Sequence, residues 1–171
     1  TNKKIKKSIT FIQWYEKWKS LFKQNVKKTT EKEYLISMKH LKDIHNQPIN
    51  QINSLQIVEQ LNKITGERAK QKVYEFLKMV FDKAFTNEII QKNPMLIIEK
   101  PKHKRINGNA LTSEDEPIIE KLLKEDNADL FLICLYQGLR KGEALALTRN
   151  DIDFNNKKLI INKSLNNFNE I

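Results

Sequence analysis

Apolar residues recur at three- and four-residue intervals through most of the first hundred positions of this chain. Phe11, Trp14, Tyr15, Trp18, Leu21 and Phe22 fall on one helix face at that spacing, and Thr10 stands where an N-cap belongs. A basic, hydroxyl-rich turn at Lys27, Lys28, Thr29 and Thr30 follows, and Tyr34, Leu35, Met38 and Leu41 then supply the face of a second helix. Thr30 and Glu33 have the capping-box spacing, in which a hydroxyl and a carboxylate satisfy orphan N–H groups at a helix start. Pro48 marks a break. Leu55, Val58, Leu61 and Ile64 predict a third helix opening near Asn53 or Ser54, with Gly66 as its stop. Ala69, Val73, Phe76, Leu77, Val80, Phe81 and Ala84 predict a long fourth helix, with Lys70, Lys72, Lys78 and Lys83 on much of its other face. A short turn through Ile89 and Ile90 ends at Asn93-Pro94. Residues 8–98 are therefore expected to form a compact bundle of four or five helices.

The pattern then changes. Lys100 to Asn109 has no apolar period and is basic, with Pro101, Lys102, His103, Lys104, Arg105 and Gly108, which reads as an interdomain linker. A second unit opens at Leu111-Thr112, with Glu114, Asp115 and Glu116 in a first helical turn where acids suit the dipole. Ile118, Ile119, Leu122 and Leu123 predict its buried face. A strongly apolar helix runs from about Ala128 and stops at Gly138. A short helical stretch follows through Ala144 to Leu147. Asp151 to Asn162 predicts a β-hairpin, with Asn155-Asn156 at the turn and Leu159, Ile160 and Ile161 returning. One hairpin does not complete a sheet core, so the second unit reads as cut short.

Composition narrows the class. Of 171 residues, 39% are apolar and 30% charged, which suits a foldable soluble chain, and four Gly and four Pro exclude collagen-like and linker-like classes. The apolar run Leu130 to Leu139 is shorter than the roughly 18 residues of a membrane span. No signal-type apolar core follows Thr1 to Lys7. The single Cys134 reads as a buried free thiol in a reducing cytoplasm.

Charge adds direction. The net charge is +10, and it is uneven: residues 1–109 hold 23 basic and 10 acidic groups, residues 110–171 hold 8 and 11. The first unit thus faces a polyanion, with nucleic acid the leading one; a general lysine bias is the alternative reading of charge alone. Glycine-rich phosphate loops, HExxH and metal-spaced His/Cys clusters are absent, so no cofactor and no metal is expected. His40, His45 and His103 are scattered in polar stretches and read as solvated.

Arg140 is the candidate for chemistry that stands out. It follows an apolar helix directly after a Gly-Leu stop, with Glu143 three residues on. Spacing alone leaves two readings: a surface cation near a helix C-terminus, or a rigidly placed guanidinium that grips a phosphate, oriented by Glu143. The run Tyr136-Gln137-Gly138-Leu139-Arg140-Lys141-Gly142-Glu143-Ala144-Leu145-Ala146-Leu147, then Asp151-Ile152-Asp153-Phe154, resembles the first conserved box of the tyrosine recombinases of the phage-integrase type. Leu111-Thr112-Ser113-Glu114 resembles the opening of that family's catalytic domain, and the upstream bundle its core-binding domain.

The resemblance implies a DNA breaking-and-rejoining enzyme of a phage or mobile element. In that family a tyrosine hydroxyl attacks the scissile phosphate, and arginines neutralise its nonbridging oxygens. Arg140 is the catalytic residue carried over, with Glu143 in support. Tyr15, Tyr34, Tyr74 and Tyr136 all precede Arg140, whereas the family's nucleophile lies far downstream. The His-x-x-Arg box is also missing. Lys163 is not expected to be the catalytic lysine, which the resemblance places on a following strand. The chain is expected to be part of a longer enzyme and inactive alone. The contacts implied for double-stranded DNA at an attachment-site core are Lys27, Lys28, Thr29, Thr30, Lys32 and Lys39 around the second helix. Arg68, Lys70, Gln71 and Lys72 add to them on the fourth, and Lys102, Lys104 and Arg105 in the linker.

The expected fold is mainly α. Residues 1–99 form a SAM-like helical core-binding bundle, 100–109 a basic linker, and 110–171 the incomplete N-terminal part of an α+β catalytic domain. The whole enzyme is expected to be cytoplasmic and a homo-tetramer on DNA, with no membrane partner. The competing reading is a non-catalytic helical DNA-binding accessory protein or repressor; a helical module binding acidic protein partners is a third.

Overall fold

The computed structural model describes residues 9–104, 108, 110–125 and 128–166. The basic start Thr1 to Lys7, and Arg105 of the linker, lie outside the described residues. The fold is mainly helical with one short antiparallel ribbon, and the chain divides into two compact units, Thr1–Arg105 and Ile106–Ile171.

The first unit is built on four helices: α1 (Phe11–Phe22), α2 (Lys28–His40), α3 (Ser54–Asn62) and α4 (Glu67–Thr86). A capping box opens α1. The Thr10 hydroxyl accepts the Gln13 N–H at 3.3 Å, and the Gln13 side chain accepts the Thr10 N–H at 3.1 Å. Asn53 and Gln56 do the same for α3. Phe11, Trp14, Tyr15 and Trp18 bury the inner face of α1 against Val73, Phe76, Leu77, Val80 and Phe81 of α4. Trp18 packs edge to face on Phe76 at 6.0 Å, Phe11 stacks on Phe81 at 5.8 Å, and the buried Trp14 indole N–H donates to the Val80 carbonyl at 3.1 Å. The large rings tie the chain's first helix to its longest one.

Several local expectations are corrected. Leu21 and Phe22 continue the periodicity of α1 but stand exposed; the Lys83 ammonium of α4 lies over the Phe22 ring at 5.1 Å. Leu35 and Leu55 are exposed too; Ile57 takes the core position that Leu55 was expected to hold. α2 begins at Lys28, so Thr30 and Glu33 lie inside it and form no cap; Glu33 instead pairs with Lys72 of α4. Gly66 does not stop α3, which ends at Asn62. At φ +97° it opens α4, a backbone angle that side-chain-bearing residues rarely adopt. His45 is half-buried rather than solvated: its Nε2 bonds the Met38 carbonyl at 2.9 Å, and its ring stacks on Phe11.

In the second unit a turn at Ser113–Asp115, capped by Thr112 and Asp115, leads into α5 (Glu116–Leu122). Then come α6 (Asp129–Gln137) and α7 (Lys141–Ala146). A ribbon of β1 (Ile152–Asp153) and β2 (Lys158–Leu159) pairs Ile152 with Leu159 and Asp153 with Lys158. Ile160 and Ile161 follow the strand as exposed coil. The expected burial of α5 and α6 is not found. Ile118, Leu122 and Leu123 are exposed, no residue of either helix is buried, and Cys134 is half-exposed. Among the described residues of this unit only Leu139, Ala144 and Ala146 are buried apolar side chains, since these few short elements lay little surface over the helices.

Candidate functional site

Gly138 ends α6 in the left-handed region, at φ +66°, which lets the chain turn sharply without a Cβ penalty. Leu139 is buried and anchors the turn. Arg140 comes next in an extended conformation as the N-cap of α7. Its side chain is 86% exposed. Glu143 holds it twice: one carboxylate oxygen accepts the Arg140 backbone N–H at 2.9 Å, the other accepts from Nη1 at 2.9 Å. That backbone N–H, and then the guanidinium, hold the Glu143 carboxyl below its usual range. One of the five guanidinium donors is thus committed, and the others are available to an anion. The sequence reading placed these two residues together, and the structure brings them into contact.

The surroundings of Arg140 hold contacts that sequence reasoning missed. The Gly142 carbonyl accepts the Leu165 N–H at 2.8 Å. The approach is so close that a Cβ on Gly142 would sit 2.6 Å from the Leu165 carbonyl oxygen and 2.7 Å from the Ser164 hydroxyl. Just past α7, one Asp151 oxygen accepts from the Thr148 N–H and hydroxyl, both at 2.7 Å, and pairs with the Lys163 ammonium at 2.7 Å. The lysine bond, followed by the two from Thr148, holds the Asp151 carboxyl down to about 2. The Thr-x-x-Asp spacing of a cap was the available signal, but Asp151 was read as the entry to a strand.

The basic residues expected on the first unit lie along α2 and on the first turns of α4. Lys27 is exposed at the start of α2, with Lys28, Thr29, Thr30 and Lys32 on its first turns and Lys39 near its end. Arg68 bonds Gln71 at 2.8 Å, and Lys70 pairs with Glu67 at 3.5 Å. Lys72 pairs with Glu33 across from α2. Arg68, Lys72, Tyr34 and Ser37 line a cleft of about 210 Å³ that also holds Glu33 and Glu75. Lys102 and Lys104 are exposed. A larger cleft of about 820 Å³, lined by Ile52, Asn53, Lys92 and Asn93 among others, contains none of the expected site residues.

Three of the four tyrosines are poorly placed as nucleophiles. Tyr15 and Tyr34 are buried, and burial pushes both hydroxyls up. The Tyr74 hydroxyl donates to the Ile98 carbonyl at 3.0 Å. Tyr136 is exposed on α6. Among the described residues no group of three or more His, Cys, Asp or Glu is placed to hold a metal ion, and no helix is long and apolar enough to cross a membrane.

Comparison with known proteins gives the same direction. A tyrosine recombinase XerC-like protein of Caldanaerobacter subterraneus subsp. tengcongensis is 31% identical over 134 residues, covering 72% of this chain and 34% of its own length. The integrase of transposon Tn1549, solved with circular intermediate DNA, superposes with a TM-score of 0.75 at 22% identity, over 94% of this chain and 57% of that one. A lambda integrase tetramer bound to a Holliday junction gives 0.74 at 19% identity, over 87% and 45%. This chain therefore spans about a third of the curated relative and about half of the solved integrases. No protein-family model matches it.

Proposed function

We propose that this chain, which belongs to the tyrosine recombinase family, is the DNA-binding and first catalytic portion of a site-specific integrase. The observation that carries the reading is the Gly138-Leu139-Arg140 turn, which presents an exposed guanidinium on a backbone fixed by Glu143. In this reading Arg140 binds the nonbridging oxygens of the scissile phosphate. It neutralises the charge that grows as a tyrosine oxygen attacks, and Glu143 keeps the fork in one orientation. The attacking tyrosine is none of Tyr15, Tyr34, Tyr74 and Tyr136, so the chain by itself binds DNA without cleaving it. The whole enzyme acts in the cytoplasm on an attachment-site core, as a homo-tetramer on DNA, and needs no metal or cofactor because the phosphotyrosyl bond conserves the energy of the broken linkage.

In the first unit, Lys27, Lys28, Thr29, Thr30, Lys32 and Lys39 with Arg68, Lys70, Gln71 and Lys72 meet the duplex. Lys102, Lys104 and Arg105 follow its backbone. The ion pairs of Lys70 and Lys72 temper that surface, so phosphates must compete with Glu67 and Glu33. The test is fluorescence anisotropy of labelled duplex DNA across a salt series. Affinity is expected to fall steeply with salt, and Arg140→Ala to weaken binding regardless of sequence and lower the salt slope by about 1. An Arg140→Ala chain that binds with unchanged affinity and slope refutes the assignment.

A further inference from the structure

The segment after β2 is fastened at both ends of the helix that Arg140 opens. At the N-terminal end the Leu165 N–H reaches the Gly142 carbonyl, two residues beyond Arg140. At the C-terminal end Lys163 reaches Asp151 at 2.7 Å and the Thr148 hydroxyl at 3.3 Å. Between these points α7 has six residues, about 9 Å of helix, far below the length that holds itself together in water. Its shape comes from what packs against it, α6 and the segment that crosses Gly142. Lys163 is only 24% exposed and Asp151 only 11%, so this ammonium is committed to the protein. Lys157 and Lys158 of the same ribbon are exposed.

We propose that Lys163 is a positioning residue for Arg140: by gripping Asp151 and Thr148 it holds residues 163–165 across Gly142, and so fixes the turn that presents the guanidinium. The proposal deepens the reading of Arg140 as a phosphate ligand and rests on it for its purpose. Its structural part is independent of DNA. Thr148 keeps its own two bonds to Asp151 when Lys163 is removed, so the loss falls on the strap and on the first turn of α7.

Hydrogen exchange on the free chain tests the structural part. Lys163→Met speeds exchange of the Leu165 amide and of the Ala144 amide, which bonds the Arg140 carbonyl, about tenfold, the weight of one or two hydrogen bonds. Leu132 in α6 and Val80 in α4 stay unchanged. The Glu143 carboxyl, followed by NMR, titrates at a higher pH as its grip on Arg140 loosens. Lys163→Arg restores both signals. Where the Met variant also loses Leu132, Asp151→Asn, which retains the Thr148 residue and weakens the cation's hold, gives the same pattern at smaller amplitude.

DNA binding supplies the second arm. Lys163→Met weakens affinity, and the Arg140→Ala/Lys163→Met double variant is no weaker than Arg140→Ala alone. Losses that multiply in the double variant place Lys163 on DNA in its own right and overturn the proposal. Unchanged exchange at Leu165 and Ala144 overturns it as well. Arg140→Ala without effect on DNA removes the phosphate reading, while the exchange data still decide whether Lys163 fixes the turn.

Discussion

Replacing Gly142 by Ala puts the strap across α7 to a direct test. The new methyl carbon would lie 2.6 Å from the Leu165 carbonyl oxygen, which is backbone and does not rotate away, and 2.7 Å from the Ser164 hydroxyl, which does. Restoring ordinary contact requires residues 164–165 to retreat by about 0.8 Å, which stretches the 2.8 Å Leu165–Gly142 bond to about 3.6 Å and ends it. The lost bond costs about 1 kcal/mol and the overpacking about 1–3 kcal/mol. Alanine's better helix propensity returns about 1 kcal/mol. The net is about 1–3 kcal/mol against the closed strap, or roughly 5- to 150-fold faster opening. Native-state hydrogen exchange at the Leu165 amide reads this directly. Gly108→Ala is the control, since a Cβ there meets nothing within 4 Å. Leu165 protection that is unchanged or increased in Gly142→Ala would refute the reasoning, because it would mean that the segment does not lie where the close approach requires.

Two further outcomes are expected. The Asp151 carboxyl is held down to about 2, so its bonds contribute stability above the ordinary carboxylate pKa, and that contribution is lost as pH falls through about 2. Protection of the Thr148 amide should therefore fade between about pH 4 and pH 2 and be flat over that range in Asp151→Asn; equal acid sensitivity in the variant would assign the effect to another group. Glu33→Gln releases Lys72 from its partner, and if α2 and α4 meet DNA it tightens binding and steepens the salt slope by about 1, read by the same anisotropy titration. An unchanged slope would remove this face from the interface.

The helices of the first unit were legible because their aromatic residues recur strictly, and because Thr10 with Gln13 forms a complete local cap. What failed there was punctuation. A Thr and a Glu three apart occur inside helices as readily as at their starts, and a glycine after an apolar run looks the same whether it ends one helix or begins the next. Thr30 and Gly66 were misplaced for those reasons. In the second unit the periodicity of α5 marked a face correctly but carried no information on what covers it, so Ile118 and Leu122 were expected inside and lie outside. Arg140 and Glu143 were legible because their contact spans three residues. The strap was not: Gly142 meets Leu165 and Asp151 meets Lys163 across 23 and 12 positions, and no local pattern announces a crossing of that kind.

The burial of Trp14 and Trp18 in the first unit has an optical consequence. They are the chain's two tryptophans, packed among other rings, while Tyr136 is the sole tyrosine of the second unit and is solvent-exposed. Indole emission therefore follows the melting of one unit and is blind to the other. A loss of helical ellipticity without a red shift in emission would belong to residues 106–171, so two unfolding events can be separated in an unlabelled sample.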